Sequence, residues 1–394
     1  MSGANSQISL LTAGRDRPYA LGLAAALAVA GAQFDFIGSN EVDSPELHTS
    51  PQIHYLNLRG DQSVNAGALK KTGRVLAYYF RLLGYALTAK PKVFHILWNN
   101  KFELFDRTAL MLFYRLLGKK IVFTAHNVNA GARDANDSWL NRATLKFQYR
   151  RCDHIFLHTE KMKAELVAGY GVPENKTTVI PFGINSTVPD TALTSAEARR
   201  QLGLRAGEKT LLFFGNIAPY KGVEFLVDAF INVAGRAQDY RLIIAGRPKG
   251  SEEYWAGLLA KINASPVRDK IILKIEYVPD AETEIYFKAA DVLILPYTHI
   301  FQSGVLFLGY NFGLPAIAAD VGALKDDIVE GQTGFVFQPR DAAELARVIE
   351  KYFASGLFAD LARRRQEIRD FANERYSWNK VARLTMEVYH RWLK

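Results

Sequence analysis

Four places in the chain pair residue type with spacing in a way that suits an anionic ligand. The first is Ser303-Gly304-Val305. It follows an apolar strand, Asp291 to Pro296, and a loop, and it opens a helix that Gly313-Leu314-Pro315 should stop. A helix start presents free backbone N–H groups and the positive end of the dipole, which suits a phosphate. Gly304 has no Cβ, so an anion can approach its backbone closely. An ordinary strand–helix–strand unit with a serine cap has the same letters, so this stretch alone decides little. The second place is Leu211 to Leu226, another strand, glycine turn and helix, with Lys221 in the turn where an ammonium could meet the same phosphates. The third is His126, which follows the apolar strand Lys120 to Ala125 and so sits at the ligand-facing rim of a parallel sheet; a satisfied structural histidine is the alternative. The fourth is the polar turn Thr12 to Pro18, which carries Gly14 and Arg15; a plain turn is equally open.

The elements that must hold these residues follow from hydrophobic period and punctuation. Strand Gln7 to Leu11, helix Tyr19 to Gly31 and strand Phe34 to Ile37 make the opening of a doubly wound sheet. Residues 38–65 read as irregular and polar. A helix from Ala66 to Leu87 has two faces: Leu69, Leu76, Tyr79, Phe80, Leu83 and Leu87 are apolar, and Lys70, Arg74 and Arg81 share another side. That basic side is either solvated or meets anionic lipid headgroups, with Tyr78 and Tyr79 at the interface. A helix from Arg107 to Leu117, followed by Gly118-Lys119-Lys120, adds more basic residues. Val93 to Trp98, Lys120 to Ala125 and Cys152 to Thr159 are buried strands. His158 ends the last of them, where a structural role is as open as a binding one. Thr177 to Gly183 closes a first domain, and Ile184 to Asp190 reads as a linker. Thr194-Ser-Ala-Glu197 is a capping box for a helix reaching Leu202. Strands Thr210 to Phe214, Tyr240 to Ala245, Ile271 to Lys274, Val292 to Leu295 and Ala316 to Ala319 belong to the second domain. Residues 341–373 are helical and charged, and Tyr376-Ser377-Trp378 begins a last helix to Leu393. The expected domains are therefore 1–190, 191–373 and a terminal helix at 374–394.

Composition agrees with that division. A chain of 394 residues suits two domains at roughly 100–200 residues each. Hydrophobic residues make up 49% and charged residues 23%, an ordinary globular balance. Cys152 is the only cysteine, so no intrachain disulfide forms, which fits a reducing cytoplasm. Met1 to Gln7 lacks the pattern of a signal peptide, and the apolar run Ala20 to Ala32 falls short of the roughly 20 residues a bilayer needs. The formal charge of +9 admits nucleic acid, an anionic membrane or acidic substrates. Its dispersal, with no recognised module, argues against nucleic acid.

Five ordered motifs then narrow the reading: Phe214-Gly215-Asn216-Ile-Ala-Pro-Tyr-Lys221-Gly222, Ala290-Asp-Val-Leu-Ile-Leu-Pro-Tyr297, Ser303-Gly304-Val305, Phe312-Gly-Leu-Pro315 and Gly331-Gln-Thr-Gly-Phe335. Over roughly residues 210–340 the chain resembles the C-terminal half of a retaining nucleotide-sugar glycosyltransferase of family 4. The resemblance implies an α/β chain of the GT-B fold: two Rossmann-like doubly wound domains facing a central cleft, with the C-terminal helix crossing back to the first. It implies donor binding at Gly215, Asn216, Lys221, Arg247, Tyr277, Val278, Ser303, Gly304 and Val305. His126 would touch the donor sugar near the reacting carbon, Lys221 would act on the diphosphate, and Gly14 and Arg15 would lie at the acceptor or cleft. No cofactor and no metal are expected, the nucleotide-diphosphate sugar being a co-substrate.

Three departures stand out. Family members commonly carry two glutamates eight positions apart in the central stretch; here those positions are Ile300 and Leu308. The arginine that often precedes the Pro-Tyr-Lys-Gly turn is Ala218, and the usual glycine pair near Gly14 is missing. The branch with Ser-Gly-Val in place of the first glutamate is the one this chain resembles. The expected activity is transfer of a hexose from UDP- or GDP-hexose to a glycan or lipid-linked acceptor with retention. The expected place is the cytoplasm, with peripheral contact on the inner face of the plasma membrane. The rivals are a non-catalytic nucleotide-sugar-binding protein, and an inverting transferase or epimerase of the same fold.

Overall fold

Strands of three to six residues, most of them apolar runs, build two parallel sheets, as strands covered on both faces must. The computed structural model describes residues 6–63, 67–133, 137–184, 188–248 and 250–393. They divide into two compact units, Met1–Gly183 with Tyr376–Lys394, and Ile184–Arg375.

The first unit carries β1 (Ile8–Leu11), β2 (Phe34–Ile37), β3 (Ile53–Leu56), β4 (Val93–Ile96), β5 (Lys120–Thr124), β6 (His154–Leu157) and β7 (Thr177–Val179). Their order is β3-β2-β1-β4-β5-β6-β7, with every neighbouring pair parallel. The order reverses between β1 and β4, and ligands of such sheets bind at the carboxyl ends of the strands beside that reversal. Helix Arg17–Val29 covers one face and buries Tyr19, Leu23 and Leu27. Burial of side chains of that size contributes about 1.5–3 kcal/mol each.

Helix Trp378–Leu393 belongs to this same unit and packs against Arg17–Val29. The Trp378 indole lies over Gly22, where any Cβ would strike the ring. Farther along, the Tyr389 hydroxyl is 2.5 Å from His95 Nδ1, and His95 Nε2 is 2.7 Å from Thr124 Oγ1. Burial lowers the His95 pKa to about 3, so the ring stays neutral inside the core.

The second unit carries β8 (Lys209–Phe214), β9 (Tyr240–Ala245), β10 (Ile271–Lys274), β11 (Val292–Leu295), β12 (Ala316–Ala319) and β13 (Gly334–Phe337). The order is β10-β9-β8-β11-β12-β13, again all parallel, with its reversal between β8 and β11.

Several expectations need correction. Residues 38–65 are not wholly irregular: they hold a 3-10 turn at Asn40–Val42, a short helix at Pro45–Thr49 and the edge strand β3. That strand is half-buried and carries His54, bonded to Asp35 at 3.1 Å, so no apolar run announces it. The helix expected from Arg107 begins at Glu103 and passes through a π-helical turn at Asp106–Leu110. The charged stretch 341–373 is three helices, Ala342–Phe353, Gly356–Ala359 and Leu361–Arg375. The first boundary falls at Gly183/Ile184 rather than 190/191. Asp190 pairs with Lys288 at 2.8 Å, and Thr191 donates to Glu284, which fixes both residues in the second unit. Residues 185–187 of the expected linker lie outside the described residues. The second boundary falls at Arg375/Tyr376 rather than 373/374, because helix Leu361–Arg375 stays with the second unit.

Candidate functional site

At the β8/β11 reversal of the second sheet, three of the motifs converge. Gly215 follows β8, and a Cβ placed there would lie 3.5 Å from a Val305 methyl, so the glycine turn and the Ser303 helix start are neighbours. Lys221 closes the 3-10 turn Pro219–Lys221, and Gly222 follows at φ 61°, where any Cβ would also strike the Pro296 carbonyl oxygen. The amide of Thr298 donates to the Tyr220 carbonyl at 2.9 Å, tying that turn to the loop after β11.

Lys221 is 7% exposed, and its Nζ stands 3.9 Å from the centre of the Tyr297 ring. The Tyr297 hydroxyl is 3.3 Å from Ser303 Oγ, and both residues are buried. Lys221, Tyr297 and Ser303 thus form one cluster at the start of helix Gly304–Asn311. Lys221 is not a surface turn lysine but a packed one. Ser303 does not cap its own helix by its side chain; its hydroxyl turns to Tyr297 instead. That leaves Gly304, which is exposed, and Val305 at the open end of the helix. Arg247 lies over the Tyr277 ring at 5.5 Å, both side chains exposed, beside the buried Val278. Asn216 is exposed as well. Ile300 and Leu308 are buried apolar side chains, so neither position offers a carboxylate.

The first unit has its own convergence at the β1/β4 reversal. The turn after β1 is strained: Ala13 and Asp16 have φ of 53° and 44°, and with Arg340 they are the non-glycine residues of positive φ among those described. Gly14, at φ 67°, packs under Gln62, whose amide donates to the Gly14 carbonyl at 2.7 Å. Arg15 donates to the Asn100 carbonyl at 3.2 Å. Asn100 and the Tyr79 hydroxyl both donate to Asp106 Oδ1 at 3.0 Å, while Asp106 Oδ2 is buried without a partner. Burial pushes the Asp106 carboxyl up to about 6 despite those donors.

His126, one residue beyond Ala125, stacks on Trp98 with ring centres 4.3 Å apart and planes 2° from parallel, and the Tyr19 ring stands perpendicular to it with centres 4.6 Å apart. His158 and Phe182 complete this aromatic wall. Burial first, with the neighbouring His158 and His95 imidazoles adding to it, holds His126 well below the usual imidazole range. Sequence reasoning found His126 and left His158 open between a structural and a binding role. Tyr19, Trp98 and Asp106 reach the site through folding alone, and Tyr297 sat inside a motif already singled out. Cys152 is buried and its thiol is pushed up by burial, so it is no nucleophile. Among the described residues no group of three or more His, Cys, Asp or Glu is placed to hold a metal ion.

Helix Ala68–Thr88 corrects one further expectation. Tyr78 and Tyr79 point inward, 2% and 6% exposed, because they serve Asn100 and Asp106. Its outer side instead shows Leu69, Leu76, Phe80 and Leu87, and Arg74 is drawn into an ion pair with Asp61. No helix among the described residues is long and apolar enough to cross a membrane.

Two doubly wound parallel units, each with its glycine-marked turn at the sheet reversal, define an α/β chain of the GT-B class. Comparison with known proteins supplies the family. Residues 18–188 match Glycosyltransferase Family 4, and residues 208–355 match Glycosyl transferases group 1. The chain is a GT-B glycosyltransferase of the family 4 type. Over 240 residues it is 30% identical to a D-inositol 3-phosphate glycosyltransferase of Pseudarthrobacter chlorophenolicus, covering 60% of this chain and 55% of that one. A protein of the same name from Acidothermus cellulolyticus is 32% identical over 217 residues, 54% of this chain and 48% of the relative. The chain therefore spans about half the length of these curated relatives. Among solved structures, sucrose-phosphate synthase from Thermosynechococcus elongatus superposes with a TM-score of 0.77 at 19% identity, covering 98% of this chain and 99% of that one. Anabaena Alr3699/HepE in complex with UDP-glucose gives 0.73 at 16%, covering 97% and 99%. At such identities these two likenesses speak for the fold.

Proposed function

We propose that the chain transfers a hexose from a UDP- or GDP-hexose to a hydroxyl of a glycan or lipid-linked acceptor, with retention of anomeric configuration. The observation that carries this reading is the cluster of Lys221, Tyr297 and Ser303 at the open helix start beside Gly215. A leaving nucleotide diphosphate gains negative charge as its bond to the anomeric carbon breaks. The Lys221 ammonium and the N–H groups of Gly304 and Val305 offer positive charge that is already in place. The acceptor oxygen bonds to the same face of the anomeric carbon, and its proton passes to the departing phosphate oxygen. No protein nucleophile is needed, which suits a site whose glutamate positions are Ile300 and Leu308. Because the charge is met by protein groups, turnover is expected to survive chelation of divalent ions. UDP-glucose in the Alr3699/HepE structure supports a UDP donor.

Thermal shift against nucleotide diphosphates and their sugars, followed by turnover with the stabilising donor and anomer analysis of the product, tests the proposal. Stabilisation without turnover would favour a nucleotide-sugar-binding protein. An inverted product would favour an inverting transferase.

The acceptor end of the proposal extends to the membrane. Leu69, Leu76, Phe80 and Leu87 follow one another at intervals of seven, four and seven residues and so form one stripe on helix Ala68–Thr88. They are 92%, 47%, 76% and 63% exposed, on the side away from the buried Tyr78, Leu82 and Tyr85. Lys70 and Arg81, both exposed, lie along one side of the stripe. An apolar row beside cations suits peripheral contact with an anionic bilayer, from which a lipid-linked acceptor would be taken.

A further inference from the structure

His126 and His158 close neighbouring strands, β5 and β6, and their rings meet. His158 Nδ1 is 3.3 Å from the Ile180 carbonyl oxygen, and its Nε2 is 3.1 Å from His126 Nδ1. A carbonyl oxygen only accepts, so the hydrogen of a neutral His158 sits on Nδ1 and its Nε2 is a bare lone pair. His126 Nδ1 must then donate to that lone pair. Burial holds both rings neutral near pH 7, His158 at about 4 and His126 well below its usual range. A neutral ring has one N–H, so His126 Nε2 carries none. That atom is buried and has no hydrogen-bond partner. Stacking on Trp98 fixes the plane of the ring, and the contact with His158 distinguishes this orientation, with Nδ1 toward His158, from its 180° flip.

We propose that His158 is a positioning residue: with the Ile180 carbonyl it locks His126 in the tautomer protonated at Nδ1, so that Nε2 faces the sugar as an acceptor only. The sugar's part in this rests on the proposed function; the tautomer does not. An acceptor screened from bulk water takes a hydroxyl and rejects a carboxylate, which brings oxygens without hydrogens. The site therefore selects a neutral hexose over a hexuronate wherever the sugar substituent reaches His126. Fixing a ring through the hydrogen bond of its other nitrogen is the device that orients metal-bound histidines, put here to a different use.

Nitrogen-15 spectra of the full chain, labelled at histidine and assigned with His126→Gln, read the tautomer without any need for activity. The expected spectrum shows His126 with hydrogen on Nδ1 and a bare Nε2. In His158→Phe, which keeps an aromatic ring of similar size, the hydrogen should move to Nε2. In His158→Gln it should return to Nδ1, because one amide can donate to Ile180 and accept from His126. Turnover of the donor should fall about tenfold or more in His158→Phe and recover in His158→Gln. Affinity for free UDP or GDP should stay the same in both. A wild-type His126 with hydrogen on Nε2, or a tautomer unmoved by His158→Phe, overturns the proposal. If the spectra behave as expected and no donor turns over, the tautomer lock stands and the proposed activity fails.

Discussion

Lys221→Met is the sharpest perturbation of the proposed nucleotide site. Its ammonium is 3.9 Å from the Tyr297 ring centre, and the residue is 7% exposed. A lysine so buried cannot be cut to alanine without harm to the fold. Lys221→Ala would strip the aliphatic stem from Tyr297 and leave a gap, at a cost of roughly 2 kcal/mol or more in stability. Methionine keeps the stem and removes only the charge. The cation–π contact it forfeits is worth about 1–2 kcal/mol, and the desolvation cost of the ammonium disappears with it, so melting temperature should move little. A charged hydrogen bond to a diphosphate contributes about 1.5–3 kcal/mol net. Losing about 2 kcal/mol weakens binding about 30-fold. Calorimetric titration of folded wild type and variant with UDP and GDP measures this directly, and the difference should shrink as salt screens the charge. If the methionine variant melts with wild type and binds the preferred nucleotide equally well, Lys221 does not meet the phosphates.

Gly304→Val should abolish binding of the nucleotide diphosphate with only a modest fall in stability, because residue 304 is exposed at the helix start; unchanged affinity in the same titration would move the site elsewhere. Ser303→Ala should be milder, since it removes one hydroxyl and leaves the backbone donors. Asp106 gives a pH prediction. Its folded pKa is raised to about 6 from an ordinary 3.8, so between those values the folded state binds more protons than the unfolded chain. Stability from this group therefore falls as pH rises from about 4 to about 6. The difference between wild type and Asp106→Asn should move toward wild type by about 2 kcal/mol on going from pH 7.5 to 4, read by denaturant titration. A constant difference would mean that Asp106 titrates normally. Phe80→Glu should release the chain from vesicles rich in acidic lipid, and Lys70→Glu should do so most clearly at low salt. Sedimentation that ignores both substitutions would leave the stripe without a lipid role.

The strands were legible where burial makes sequence monotonous. Tyr240–Ala245, Ile271–Lys274, Val292–Leu295 and Ala316–Ala319 lie where their apolar runs place them. Edge strand Ile53–Leu56 was not, because a strand open to solvent along one side mixes His54 and Tyr55 into its run. Glycine and proline marked the motifs of the proposed nucleotide site well enough to name Gly215, Lys221 and Ser303. Their relation to Tyr297 depends on the loop after β11 folding over the turn after β8, which no local pattern records. The π-helical turn at Asp106 gave no signal either. Its letters, Asp-Arg-Thr-Ala-Leu, serve an α-helix equally well, and the carboxyl is unusual only because Tyr79 and Asn100 arrive from elsewhere. The outward stripe on helix Ala68–Thr88 was misdivided for a related reason. Apolar residues all round a helix have one period, and only packing decides which of them face the core.

The return of Trp378–Leu393 to the first unit has a consequence for the order of manufacture. A ribosome releases residues 1–183 long before it has made Trp378 or Tyr389, and the whole second unit is translated in between. At ordinary speeds those roughly 200 residues take on the order of 10–40 s. Throughout that delay the recess over Gly22 is empty of its indole, and His95 waits for a hydroxyl 294 positions downstream. The half made first is thus the half finished last. Its nascent form exposes an apolar seam along Arg17–Val29, the surface on which a holding chaperone would act, while the second unit can close its own sheet as soon as Arg375 has emerged.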